Sequence, residues 1–192
     1  GKLIMKKSSI GTICIIAVIA IIAIMAIAGY NGMVSKREAV DSALSDLDVM
    51  LQRRADLIPN LVSTVKGYTN HENEVIDKIT EARAKLTSAN SVEEKSEANN
   101  ELSSSLKALM LVVENYPDLK SSENFKQLSD ELAGTENRIA VARKDYNNAV
   151  KTLNTTIKKF PNNIIAGMFG FEQAEYFEAD ESSTEVPSVN FE

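Results

Sequence analysis

The 192-residue sequence has one cysteine, one histidine and no tryptophan. A disulfide framework, a Cys/His metal cage or a Cys-His dyad needs more of these side chains than the chain holds. We therefore expect no metal, no cofactor and no catalytic activity. The lone histidine, His71, lies in Thr69-Asn70-His71-Glu72, which has the S/T-x-x-E form of a helix capping box.

Positive charge is scarce after the first apolar run. Lys2, Lys6 and Lys7 precede that run, so the remainder carries 18 Lys plus Arg against 27 Asp plus Glu, a net charge of -9. A surface this acidic repels phosphate backbones. We therefore expect no nucleic-acid partner.

The first apolar run has no charged side chain between residues 10 and 28, and a helix of that length crosses a bilayer. We predict a short cytoplasmic N-terminus at residues 1–9 and a transmembrane helix at residues 10–29, because lysines precede the span. The chain beyond Tyr30 would then face outward. Ala26-Ile27-Ala28 also has the form of a signal-peptidase site, so cleavage stays an alternative, although the run is longer than a usual signal core.

Small residues recur along this run and would let a second membrane helix approach closely. They include Ala17, Ala20, Ala23, Ala28 and Gly32. We predict a packing face there. The alternative is that alanine merely fills an isoleucine-rich span.

Glycine and proline are rare between residues 30 and 160, and apolar residues recur at three- and four-residue spacing, which is typical of long helices. The stripes cover residues 40–65, 75–86, 102–116 and 125–160, with a second capping box at Ser91-Val92-Glu93-Glu94. We predict an all-α protein. Its transmembrane helix would be followed, over residues 30–160, by an antiparallel up-and-down four-helix bundle with two long and two shorter helices.

Arg54 interrupts the apolar stripe of the first long helix. A buried arginine needs a partner, and Glu136 or Asp145 of the last long helix is a candidate. With Arg53 and Asp56, this region forms either a polar layer that fixes helix register or a binding site for a partner.

Residues 161–192 form an apolar connector and an acidic tail whose composition favours disorder. The connector would pack under the bundle, touch lipid or bind a neighbouring protein, and the tail would dock as an extended strand. The residues predicted to make such contacts are Ile164, Ile165, Met168, Phe169, Phe171, Val186, Val189 and Phe191.

Several motifs together resemble the LemA family. They are Tyr30-Asn31, Arg53-Arg54-x-Asp56-Leu57-Ile58-Pro59-Asn60-Leu61-Val62, Val65-Lys66-Gly67-Tyr68, His71-Glu72, Thr135-Glu136-Asn137-Arg138-Ile139, Ala142-Arg143, Tyr146-Asn147, Phe160-Pro161-Asn162-Asn163-Ile164-Ile165-Ala166, Phe169-Gly170-Phe171 and Tyr176-Phe177. Leu153-Asn154 departs from the family pattern, in which an aromatic residue precedes the asparagine.

The resemblance implies a bacterial envelope protein with one anchor in the inner (cytoplasmic) membrane and a helical bundle facing the periplasm or the cell exterior. It supplies no reaction; relatives are associated with membrane organelles and with membrane-protein quality control. We expect a scaffold that contacts the lipid bilayer and forms a homo-oligomer. The alternative is an adaptor for a membrane-protein partner such as a protease, transporter or envelope-stress sensor.

Overall fold

The computed structural model describes residues 2–69 and 71–178, with side chains from residue 11 onward. Within these residues the regular structure is entirely α-helical, which confirms the predicted fold class. The described part of the chain contains six helices, so the predicted set of an anchor and four helices was too small. Val186, Val189 and Phe191, predicted to dock as a strand, lie outside the described residues.

Helix α1 (Lys2–Lys66) is continuous and contains both the apolar run and the first amphipathic stripe. The sequence predicted two adjoining helices here. Its apolar part is the one segment in the described chain that is long and apolar enough to cross a membrane, judged by length and composition. Helix α1 continues through Pro59, whose missing N–H removes one helical hydrogen bond.

The described chain divides into two compact units. The first, called the anchor unit, consists of residues 2–41 and 149–174; the second, called the helical unit, consists of residues 42–148 and 175–178, apart from residue 70. The boundary between them falls within α1 and again within the long helix near residue 148.

The anchor unit contains the start of α1, the end of α5 (Glu123–Lys158) and the short helix α6 (Asn162–Phe169). The sequence predicted no helix at α6. Gly29 of α1 packs closely against α6, because a Cβ at that position would lie 2.7 Å from Ile165 Cδ1 and the Ile165 side chain would have to shift. Tyr30 also makes edge contacts with Phe169 and Phe171, at ring-centroid distances of 4.9 and 5.6 Å.

The helical unit adds α2 (Asn73–Ser88), α3 (Val92–Val113) and α4 (Pro117–Ser121) to the remaining parts of α1 and α5. Apolar side chains at helical spacing form its core. Buried members include Leu47, Leu51, Ile58, Leu61, Ile79, Leu102, Leu109, Leu119, Ile139 and Tyr146. Helix α3 ends at Val113, three residues before the predicted end at Tyr116, and α4 occupies part of the predicted turn.

One of the two predicted capping boxes is present. Ser91 Oγ accepts from Glu94 N at 3.1 Å, and the Glu94 carboxylate accepts from Ser91 N at 3.3 Å. The box predicted at residues 69–72 is wrong, because Glu72 is itself the N-cap of α2 and makes no side-chain cap bond. Thr69 instead donates its hydroxyl to the Val65 carbonyl at 3.2 Å.

Residues 171–178, after α6, have no regular secondary structure but are fixed by hydrogen bonds, although composition favoured disorder from Phe171 onward. Within the anchor unit, Asn154 Nδ2 donates to Ala174 O at 2.9 Å, and Ala174 N donates to Asn154 Oδ1 at 2.8 Å. Within the helical unit, the amide of Asn147 makes the same pair of bonds with Phe177, at 3.0 and 2.9 Å. Each amide thus satisfies one backbone N–H and one C=O, and the two amides hold this segment at Ala174 and Phe177.

Candidate polar site in the helical unit

Arg54 is the most deeply buried charged side chain of the described chain, with 3% of its surface exposed. It lies three residues after Leu51 and four before Ile58, so the helix turns all three to the same face. This spacing places a guanidinium in the core, where an unpaired charge is costly.

Two side chains from other helices meet this guanidinium. Arg54 Nη1 donates to Asn99 Oδ1 of α3 at 2.6 Å and lies 2.8 Å from Glu136 Oε2 of α5. The second contact is electrostatic, since Glu136 Oε2 lacks a hydrogen bond. Burial lowers the pKa of Arg54, and the Glu136 charge offsets part of that effect.

A cavity of about 330 Å³ adjoins these side chains between α1, α3 and α5. Apolar residues form much of its wall, among them Leu61, Leu106, Leu109, Met110 and Leu132. Its charged lining consists of Arg54, Lys107, Arg143 and Glu136, three cations and one carboxylate. The cavity is therefore amphipathic, and its charge is opposite in sign to that of the chain as a whole.

Three buried side-chain atoms in the described chain have no hydrogen-bond partner, and all three belong to residues that line this cavity. They are Arg54 Nε, Ser129 Oγ and Glu136 Oε2. Native proteins leave few such atoms unpaired, because each retains its desolvation cost. Their clustering at one cavity marks it as the candidate ligand site.

The other residues predicted to join this site lie elsewhere. Arg53 is exposed, and Asp56 is exposed and accepts from Gln52 Nε2 at 2.7 Å. Asp145 was a predicted partner of Arg54, but it is exposed and lines a different groove. The sequence prediction missed Asn99, although it lies three residues before Leu102 and so continues the apolar stripe of α3.

That different groove, called the outer groove, lies between α1 and α5 within the helical unit and has a volume of about 480 Å³. Val49 and Val141 line it with 57% and 61% of their surfaces exposed. Charged residues of both signs also line the groove, namely Asp46, Asp145 and Arg138. It is thus an apolar surface bordered by complementary charges.

The predicted contact residues of α6 divide into a buried and an exposed group. Ile165 is buried and Phe171 is half-buried, whereas Met168 is 74% exposed and Ile164 and Phe169 are also exposed. Packing within the anchor unit therefore accounts for only part of this apolar segment.

The small residues of the apolar run make little contact within the chain. Ala17, Ala20, Ala23 and Ala28 are exposed, and a Cβ at Gly32 would meet no atom within 4 Å. Packing of this face against another membrane helix stays a prediction.

Acidic, cysteine and histidine side chains in the described segments form no group of three or more that would hold a metal ion. The described helices and their buried core define an α-helical protein. Its first helix provides one candidate membrane span near the N-terminus.

Comparison with known proteins gives this class a family. Residues 43–191 match the LemA family. The magnetosome protein MamQ 2 of Paramagnetospirillum magneticum is 30% identical over 175 residues, which cover 78% of this chain and 64% of that protein. The protein LemA of Metamycoplasma hominis is 29% identical over 153 residues, covering 79% of this chain and 69% of that protein. The chain belongs to the LemA family, and it spans less than two thirds of the length of the MamQ relatives.

Proposed function

We propose that this protein is a non-enzymatic membrane scaffold of the bacterial envelope that assembles through its own helical surfaces. Residues 10–29 anchor it in the cytoplasmic membrane, and residues 30–160 form an up-and-down bundle that faces the periplasm or the cell exterior. The outer groove is the observation that carries the proposal.

The outer groove has the composition of a self-association surface. Burying the exposed Val49 and Val141 side chains against a second copy would remove apolar surface from water. Arg138 and the acids Asp46 and Asp145 line the same groove, so a two-fold arrangement would place opposite charges together. Two anchored copies also meet at a raised effective concentration, so a weak contact is sufficient for clustering.

The anchor unit provides the proposed contact with the lipid surface. Gly29 and Tyr30, at the end of the apolar run, pack against α6 and its flanking residue Phe171. This contact would hold the exposed Met168 side chain at the level of the lipid headgroups, where apolar and aromatic side chains are favourable. The names of the MamQ relatives associate those proteins with the magnetosome, which supports a role in organising membrane for this chain.

The test is the absolute mass of the full-length protein after gentle extraction, measured by light scattering with correction for bound detergent and lipid. We expect particles of several identical chains, and Val49→Asp with Val141→Asp should reduce them towards one chain. Leu111→Asp is the matched control, because Leu111 is equally apolar and more exposed but lies outside the groove. A wild-type particle of one 21.0 kDa chain would overturn the proposal.

The second candidate function is an adaptor for a membrane protease, transporter or envelope-stress sensor. It is favoured by a charged surface groove of about 580 Å³ that includes Arg53, Arg138, Glu123 and Glu131. A complex of one such chain with a different protein, found in the same mass measurement and lost in Arg53→Glu, would favour the adaptor over the scaffold.

A further inference from the structure

We propose that the amphipathic cavity between α1, α3 and α5 binds a medium-chain fatty carboxylate, with the carboxylate at Arg54 and Ser129 and the acyl chain along α3. This inference does not depend on self-assembly, since the cavity lies within one chain. It rests on two unpaired donors, Arg54 Nε and Ser129 Oγ, on the charge of the lining and on the apolar wall.

The unpaired donors specify the head group. Arg54 Nε carries an N–H that has no acceptor, and the Ser129 hydroxyl is also unpartnered. Both atoms are closed to solvent, so a bound carboxylate would accept from them once the two side chains turn towards the cavity. A carboxylate presents two acceptor oxygens and is well suited to a guanidinium. Arg54 is already held by Asn99 through Nη1.

The charge of the lining favours an anion. Lys107 and Arg143 line the cavity in addition to Arg54, against the single carboxylate of Glu136. Glu136 is engaged with Arg54 Nη1 at 2.8 Å, which reduces its repulsion of a second carboxylate. A cationic ligand would meet three like charges in the same space.

The apolar wall specifies the rest of the ligand. Leu106, Met110 and Leu132 present aliphatic surface to the cavity, and Met110 is half exposed at the surface of α3. Its unbranched thioether adapts to chains of different shape, so it is suited to border an entrance. A volume of about 330 Å³ is near the lower end of the range for small-molecule sites, about 300 to 1,000 Å³, which favours a medium-length chain.

The experiment is photocrosslinking of the full-length protein in lipid nanodiscs with a decanoate analogue that carries a terminal diazirine. We expect saturable labelling of α3 or α5 peptides that decanoate competes away and decanol does not, because decanol lacks the charge. Arg54→Gln should weaken the labelling by roughly tenfold, the effect of one charge-assisted hydrogen bond. Lys144→Gln removes one positive charge from an exposed position of α5 outside the cavity and should leave labelling unchanged.

Two further variants keep the test decisive if Arg54→Gln does not fold. Ser129→Ala removes only the second donor and should weaken the labelling severalfold, while Ala133→Phe keeps every charge and fills the cavity, so it should abolish labelling. Circular dichroism verifies the fold of each variant. Labelling that is not saturable, that decanol competes equally, or that persists in folded Ser129→Ala and Ala133→Phe would overturn the proposal.

Discussion

Arg54 Nη1 donates a 2.6 Å hydrogen bond to Asn99 Oδ1, joining α1 to α3 across the core of the helical unit. Both residues occupy positions that an apolar side chain would otherwise fill, at 3% and 1% exposure. Burying a charge in a helical core reduces stability unless polar partners are aligned with it. The pair therefore restricts the register of α1 against α3, because a slip of either helix would leave the guanidinium without its acceptor.

Replacing Asn99 with leucine should destabilise the helical unit. Leucine keeps the branched shape of asparagine, but the buried Arg54 loses its acceptor, which costs about 1–3 kcal/mol in the free energy of unfolding. Urea unfolding of the full-length protein in detergent, followed by circular dichroism, measures the change. Asn100→Leu is the control, since Asn100 lines the same cavity without bonding Arg54; equal losses in both variants would contradict the assigned role.

The capping box of α3 should make stability depend on pH in the acidic range. Hydrogen bonds from the backbone N–H groups of Asn90 and Ser91 hold the pKa of Glu94 below its ordinary value of 4.5. A lowered pKa in the folded state means that the stabilisation is complete above about pH 4.5 and is lost as the pH falls through the folded-state pKa.

Glu94→Gln tests this dependence through the melting temperature. The wild type should melt above Glu94→Gln at neutral pH, and the difference should shrink at a pH well below 4.5, as the carboxylate becomes protonated. Glu93→Gln is the matched control, because it removes a charge from the same helical turn without touching the cap. A difference between wild type and Glu94→Gln that is equal at both pH values would contradict the prediction.

Local sequence patterns predicted the helices well because the physical causes are local. The stripe through Leu47, Leu51 and Ile58 and the Ser91–Glu94 cap each depend on residues within one or two turns. The continuity of α1 was missed because the apolar run and the amphipathic stripe were interpreted as two elements, a transmembrane helix at residues 10–29 and a bundle helix beyond it. Gly29 lies inside the continuous helix, close to Ile165.

The polar contacts of the cavity and of the chain after α6 could not be predicted, because they join distant parts of the chain. Asn99 is 45 residues from Arg54, and Phe177 is 30 residues from Asn147, whose side-chain amide binds its backbone. An asparagine within an apolar stripe indicates that a polar partner exists, but the spacing does not identify the partner. The cavity depends on how three helices pack, and no single stripe contains that information.

The segment at residues 171–178 should be released when the side-chain amide that holds Phe177 is removed. Asn147→Ala eliminates both hydrogen bonds to Phe177, whose backbone N–H and C=O then lack partners. We expect faster cleavage after Glu175 and Glu178 by a glutamate-specific protease, measured by mass spectrometry. Lys144→Ala, an exposed substitution on the same helix, should leave the cleavage rate unchanged; unaltered cleavage in Asn147→Ala would refute this role of the amide.

The proposed orientation predicts which side of the membrane each engineered cysteine faces. With Cys14→Ala as background, a cysteine in place of the exposed Ser104 of α3 should react with a membrane-impermeant maleimide in intact cells. Ser8→Cys, directly after the three lysines that precede the span, should react only after lysis, because the positive-inside rule places that end in the cytoplasm. The pair controls for reagent access, since each cysteine reports a different compartment. Labelling of Ser8→Cys in intact cells, with Ser104→Cys protected until lysis, would reverse the orientation and place the helical unit in the cytoplasm.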